Sequence, residues 1–286
     1  MRVVERFTDF IQAHIEKTDS HRISIDKEET RRIAAAAGAR LPQLYQLARS
    51  PNEVDFANLP NAFVIKPTHL CSKKGVFVLF RVRDRFLDLF SMKLLSETEV
   101  IAELTRAIGT QLSSVMVEEF VTGENGQVEI PYDYKLYTFD SGVELIIQFN
   151  RNTAPDEICF FNGQFEPLGT DIVRVNENYA IPGRPIVPKQ AEQLLMVAQS
   201  VQKEIDRPFI SVDCYATAAD VIVGELTPGP GGPYYDGLFR FSPTLDWQLG
   251  GYQIDGYRKR GWDIPMVAGF PPSRIRDSLF LSDQKQ

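Results

Sequence analysis

The chain has 286 residues, of which 43% are hydrophobic, enough for one large or two modest cores, and carries a formal net charge of −7. That charge argues against non-specific binding to nucleic acid or anionic membrane as the main role, although a local basic cluster can still hold a compact anion. No stretch approaches the roughly 18 apolar residues of a membrane span, "MRVVERFTDFIQ" does not read as a signal peptide, and Cys71, Cys159 and Cys214 are too few and too scattered for a disulfide framework, so a cytoplasmic protein is expected.

In chain order, residues 2 to 17 place Val3, Val4, Phe7, Phe10, Ile11 and Ile15 on one helical stripe. Asp26 then opens "DKEETRRIAAAAGA", where an Asp cap, an acidic first turn, an alanine run and Gly38 predict a second helix. After the loop "ARSPNEVDFANLP" comes "NAFVIKPTHLCSKKGVFVLF", an apolar strand, a polar turn and a second apolar strand. "KLLSETEVIAELTRAI" predicts an amphipathic helix and "SVMVEEFV" a strand. "YDYKLYTFDSGVELIIQFNR" reads as a hairpin turning at Asp140-Ser141-Gly142. Residues 157 to 187 read as irregular. "PKQAEQLLMVAQSVQKEI" predicts a long helix with proline in its first turn, feeding the strands "PFISVDCYAT" and "DVIVGELT" and then the loop "PGPGGPYYDG". Runs of strands with segregated helices point to an α+β fold.

The common nucleotide fingerprints, G-x-x-x-x-G-K-[ST] and a G-x-G-x-x-G after the first strand, are absent, as are a G-x-S-x-G elbow and a C-x-x-C pair. What remains is a set of charged residues inside apolar strands. Lys66 in "FVIKP" and Lys135 in "DYKLYTF" are either snorkelling lysines or parts of an anion site, since a buried ammonium needs a partner. Lys73 and Lys74 add a basic turn beside the first of them. Asp213 in "ISVDCY" and Glu225 in "VIVGELT" would lie side by side if their strands pair through a turn near residues 218–220. Two such carboxylates need a cation between them, from arginine or from a divalent metal, and Thr227 could supply a further oxygen. Glu118 and Glu119 end the strand "VMVEE", either as a solvated strand end or as a hinge that reads a nucleotide. The Gly/Pro-rich loop either frees amides for an anion or is structural. Arg151 and Arg240 are structural or carboxylate-reading, and Cys71, beside Lys73 and Lys74, is a weak candidate nucleophile.

Taken in order, "FVIKPTH", "VMVEEFV", "YDYKLYTF", "SVDCY" and "GELTPGPGG" resemble the ATP-grasp superfamily. Within it, "LPNAFVIKPTH", "PYDYKLYTFDSG" and "FISVDCY…VIVGELTPGPGG" resemble the TupA-like branch associated with teichuronopeptide synthesis. The resemblance implies two α+β lobes gripping ATP between antiparallel sheets. Residues 1–60 would be an N-terminal helical segment or reduced N-terminal lobe, 61–118 the small lobe and 119–286 the C-terminal lobe with the metal site. It implies that Lys66, Lys73 and Lys74 touch phosphates, that Glu118 or Glu119 lies at adenine and ribose, and that Lys135 lies near a phosphate or the acyl group. Asp213, Glu225 and Thr227, the last where many relatives have asparagine, would hold Mg²⁺, with two ions expected. Arg151 would read the substrate carboxylate or acyl phosphate, because Ser211 stands where relatives often carry arginine. The implied reaction joins a small-molecule or surface-polymer carboxylate to an amine through an acyl phosphate, with no nucleic acid and no membrane span, and a homo-oligomer is compatible with it. A small-molecule kinase of the same fold and a nucleotide-binding module without turnover are the alternatives.

Overall fold

Two separate apolar alternations, one before residue 120 and one after residue 132, close into two sheets of six strands each. In the computed structural model, which describes residues 1–70, 73–233 and 237–268, the chain begins with β1 (Arg2–Val3), α1 (Phe7–Glu16) and α2 (Lys27–Ala36). The smaller sheet follows as β2 (Leu44–Ala48), β3 (Ala62–Pro67), β4 (Phe77–Val82), β5 (Arg85–Asp88) and β6 (Lys93–Leu95), then α3 (Glu97–Ile108) and β7 (Val115–Glu119). Its order is β2-β7-β3-β4-β5-β6, antiparallel throughout. The larger sheet takes β8 (Asp133–Phe139), β9 (Gly142–Asn150) and β10 (Asp156–Asn162). Beyond β11 (Val173–Val175) it adds β12 (Ala180–Pro182) and, after α4 (Ala191–Ile205), β13 (Phe209–Ala216) and β14 (Val221–Thr227). Its order is β12-β10-β9-β8-β13-β14. The chain closes with β15 (Phe239–Phe241), α5 (Pro243–Lys259) and β16 (Met266–Val267).

Each face of the larger sheet is covered by helices, so its strands are buried on both sides. Leu136, Ile146, Phe161 and Val212 pack with Ile33 of α2 and Leu194, Ala198 and Val201 of α4. On the opposite face Tyr137, Leu145, Ile147 and Phe149 pack with Phe7 and Ile11 of α1 and Leu245 and Leu249 of α5. The smaller sheet closes its own core, Phe63, Ile65, Leu79 and Phe86 against Val100 and Leu104 of α3. The expected α+β architecture is the one formed. Residues 1–60 are divided between the sheets: α1 and α2 cover the larger, whereas β2 joins the smaller.

The expected caps form. Asp26 accepts from the Glu29 N–H at 2.8 Å, and Ser96 and Glu99 close a reciprocal capping box at the start of α3. Three expectations need correction. The first helix begins at Phe7, because Arg2 and Val3 pair with Val267 and Met266. Its lead-in then crosses α5 at Gly250, where a Cβ would sit 2.3 Å from the Glu5 carbonyl oxygen. The stretch 157–187 is not irregular throughout, since β10 lies within the larger sheet. Ile158 and Phe160 face one core, Cys159 and Phe161 the other, and burial on both sides erases the alternation that marks a half-buried strand. Finally, Pro188 precedes α4 instead of sitting in its first turn, and Gln190 is the cap residue.

Candidate functional site

Strand register brings the first group together. β3 and β7 run antiparallel with Val64 opposite Glu118 and Lys66 opposite Met116, so Lys66 and Glu118 are diagonal neighbours on one face. They form an ion pair, and Arg31 of α2 approaches the other Glu118 oxygen at 3.6 Å. Glu118 is only 5% exposed, so it is not a solvated strand end. Glu119 accepts from the Gln43 N–H at 2.9 Å and pairs with Arg40 at 3.3 Å. Arg40 also lies 3.7 Å from Asp220, in the turn between β13 and β14, and so ties the two sheets together.

A second group forms a ladder of alternating charge across the junction between the sheets. Lys73 donates to both oxygens of Asp156, at 2.8 and 2.6 Å. Arg151 forks, donating to Asp156 at 2.9 Å and to Asp133 at 2.8 Å. Lys135 stands 3.6 Å from that same Asp133 oxygen and donates a hydrogen bond to Asp213. Phe149 lies under both inner cations, its ring centre 4.6 Å from the Arg151 guanidinium carbon and 5.7 Å from the Lys135 nitrogen. Lys74 is exposed and pairs with no described residue, whereas Cys71 lies outside the described residues.

A bulge sets the last rung. Cys214, Tyr215 and Ala216 pair with Val223, Ile222 and Val221, a register that would carry Asp213 opposite Gly224. One extra residue in β14 shifts the pairing so that Asp213 faces Glu225 and Ser211 faces Thr227. The bulge is possible because residue 224 is glycine: a Cβ there would lie 2.8 Å from the Tyr215 ring. The two carboxylates thus meet on one sheet face, as the sequence predicts, but through an irregularity that the spacing does not reveal.

Charge in this cluster is not balanced. Three cations, Lys73, Arg151 and Lys135, face four carboxylates, Asp156, Asp133, Asp213 and Glu225. Burial pushes Asp133 up, but Lys135 and Arg151 more than offset this and hold it below the usual carboxylate range. Asp213 is pushed up to about 7, first by burial and then by the like charges of Asp133 and Glu225, against the pull of Lys135. Lys135 stays on the charged side because Asp133 and Asp213 outweigh its burial. Asp133 therefore shares Lys135 with Asp213 and holds Arg151 as well, which leaves Asp213 and Glu225 short of positive charge. Ser211, fully buried, adds a hydrogen bond to Asp213 at 3.1 Å. No group of three or more His, Cys, Asp or Glu side chains suited to a metal occurs among the described residues. A carboxylate pair is nevertheless the donor set Mg²⁺ takes when phosphate and water complete its shell.

Of the residues singled out in the sequence, Lys73, Lys135, Arg151, Asp213 and Glu225 share this ladder, with Thr227 at its end. Lys66 and Glu118 form the other group, and Glu119, the next residue of β7, pairs apart from them with Arg40. Asp133 and Asp156, its two bridging carboxylates, and Tyr215, packed on the bulge, were not foreseen. For Asp133 a signal existed, the D-x-K spacing that puts it on the same strand face as Lys135. For Asp156 there was none, since it is held by Lys73 from a remote segment and by Arg151 across the irregular connection between β9 and β10. A cavity of about 170 Å³ bounded by Glu124, Glu129, Tyr132, Tyr134 and Ala216 opens on the other face of β8.

Solved structures similar to this one include a D-alanine–D-alanine ligase from Bacillus anthracis, at 16% identity and TM-score 0.50, covering 82% of this chain and 68% of that one. Its ATP complex aligns at 15% identity and TM-score 0.49, over 86% and 67%. The ATP-grasp ligase PsnB bound to a minimal precursor aligns at 14% identity and TM-score 0.45, over 81% and 60%. The chain spans about 57 to 68% of the length of the ligases it matches. No curated protein sequence matches it. The sequence profile described as TupA-like ATPgrasp matches residues 11–252, and the chain belongs to that family.

Proposed function

We propose that this protein is an ATP- and Mg²⁺-dependent carboxylate–amine ligase working through an acyl phosphate. Family membership supports an ATP-dependent ligase in general. The observation that carries the finer reading is the ladder, in which Lys135 reaches the Asp213/Glu225 pair but is shared with Asp133, so that among the described residues the pair keeps negative charge in excess. Residues 61–118 would form the small lobe and 119–286 the C-terminal lobe, with residues 1–60 contributing to both.

In this reading Lys66 binds the α- and β-phosphates, and the 68–75 turn with Lys73 and Lys74 covers the triphosphate. Glu118 or Glu119 meets adenine and ribose. Asp213 and Glu225, with the Thr227 hydroxyl, would hold Mg²⁺, which when bound supplies charge neutralisation on the phosphates. A substrate carboxylate oxygen attacks the γ-phosphorus and ADP leaves. The amine nitrogen then attacks the acyl carbon, expelling inorganic phosphate and losing a proton. Lys135 and Arg151 orient the transferring phosphoryl and acyl oxygens and offset their charge, which is the main requirement of such a reaction.

The test is turnover of purified protein with Mg²⁺, ATP and a panel of acids and amines, following amide, ADP and phosphate together. Equal yields of all three are expected. A phosphorylated product without phosphate release would make the protein a kinase, and an absence of thermal stabilisation by saturating ATP with Mg²⁺ would overturn the nucleotide reading.

A further inference from the structure

The ladder contains one carboxylate that bridges its two inner cations, each of which also has an outer partner. Arg151 already has Asp156, at 2.9 Å, and Lys135 already has Asp213. Asp133 is nonetheless buried between them, 6% exposed, and it engages both through a single oxygen. Its Oδ2 accepts from Arg151 at 2.8 Å and lies 3.6 Å from the Lys135 nitrogen. The other oxygen, Oδ1, is buried with no hydrogen-bond partner among the described residues. A carboxylate kept only for stability would satisfy both oxygens, since an orphaned buried acceptor costs about 1–3 kcal/mol. What distinguishes Asp133 is that, among the described carboxylates, it is the one common to both cations.

We infer that Asp133 is a positioning residue, fixing Lys135 and Arg151 relative to each other so that both point at one phosphorylated ligand. The strand geometry supports this. Asp133 and Lys135 are two apart on β8 and share a face, while Arg151 follows the end of β9, where Phe149 pairs with Asp133. Phe149 supplies the floor on which both cations rest, and Asp133 ties them together from the side. Without it, each cation falls to its outer partner: Arg151 to Asp156, which Lys73 also holds, and Lys135 to Asp213 at the carboxylate pair. The two charges would then separate. Asp133 itself need not touch the ligand.

The inference rests on the nucleotide reading above, and the experiment separates the two. Mg²⁺·ATP and adenosine are titrated by calorimetry into wild type, Asp133→Asn and Asp133→Glu. Asp133→Asn keeps the shape and removes the charge. Asp133→Glu keeps the charge balance of the buried cluster but displaces the carboxylate by one methylene. Both variants should lose about tenfold or more in ATP affinity, in line with the cost of disturbing a hydrogen-bonded charge cluster, while adenosine affinity changes by less than about twofold. Equal losses for both ligands would mean that Asp133 is structural, and an unchanged ratio in Asp133→Glu would overturn the positioning role even if Asp133→Asn fails to fold. Failure of wild type to bind ATP would instead sink the nucleotide reading.

Discussion

Lys135 and Asp213 stand opposite each other on adjacent antiparallel strands, and the lysine donates a hydrogen bond to the carboxylate that Glu225 faces from the next strand. The cation is shared with Asp133, so Asp213 and Glu225 are left with less positive charge than they need. An ion pair inside a protein offsets its desolvation only when every partner is satisfied. Here the shortfall is local, and it marks where a bound cation would do most.

Glu225→Gln keeps the shape of this pair and removes one charge. Mg²⁺-dependent ATP turnover should fall by on the order of 10²-fold, the usual effect of losing one well-placed electrostatic group, with the Mg²⁺ requirement moved to higher concentration. A Mg²⁺ titration of turnover checks this, and an unchanged curve would remove Glu225 from the metal site.

Lys66 and Glu118 should separate stability from binding. Lys66→Met leaves Glu118 buried with Arg31, at 3.6 Å, as its remaining cation among the described residues, and should cost about 3 kcal/mol of unfolding free energy by urea denaturation. The double variant Lys66→Met/Glu118→Leu should regain much of that stability. Stabilisation by ATP should stay lost in both, since no apolar side chain replaces a phosphate-binding ammonium. Full ATP stabilisation of the double variant would show that Lys66 is only structural.

Gly224→Ala tests the bulge. The new methyl would meet the Tyr215 ring at 2.8 Å, so the ring or the bulge must move. Overpacking of this kind costs roughly 1–3 kcal/mol. Because the bulge aligns Glu225 with Asp213, the Mg²⁺ response should weaken as well. Loss of stability with an unaltered Mg²⁺ response would separate the bulge from the site.

At the start of α3, Ser96→Ala should cost about 1 kcal/mol by removing the cap. Glu99 is pulled from 4.5 down to about 2, chiefly by the Ser96 N–H, then by the Ser96 hydroxyl and Arg85. A depressed carboxylate stabilises above its unfolded-state value and loses that contribution as pH falls toward its folded value. Wild type should therefore lose thermal stability between about pH 4.5 and pH 2 more steeply than Glu99→Gln. Parallel melting curves for the two would disprove the capping contribution.

Local rules were enough for much of the fold. The Asp26 cap, the hairpins at residues 62–82 and 133–150 and the pairing of the strands at 209–227 follow from turn chemistry and alternation. β10 escaped because a strand buried on both faces shows no period. β1 escaped because its pairing partner lies more than 260 residues away.

The sequence by itself determined which charges enter the apolar strands and, within any unbroken strand, on which face each stands, because side-chain direction there depends on parity. Lys66, Lys135, Asp213 and Glu225 were legible for that reason. Only the tertiary structure decided who pairs with whom. It gave Lys66 to Glu118, tied Arg151 to two carboxylates at once, brought Lys73 onto Asp156 and inserted the bulge that sets Glu225 against Asp213. Ion pairs act over a few ångströms between segments remote in sequence, and strand spacing carries no information about them until the register is known.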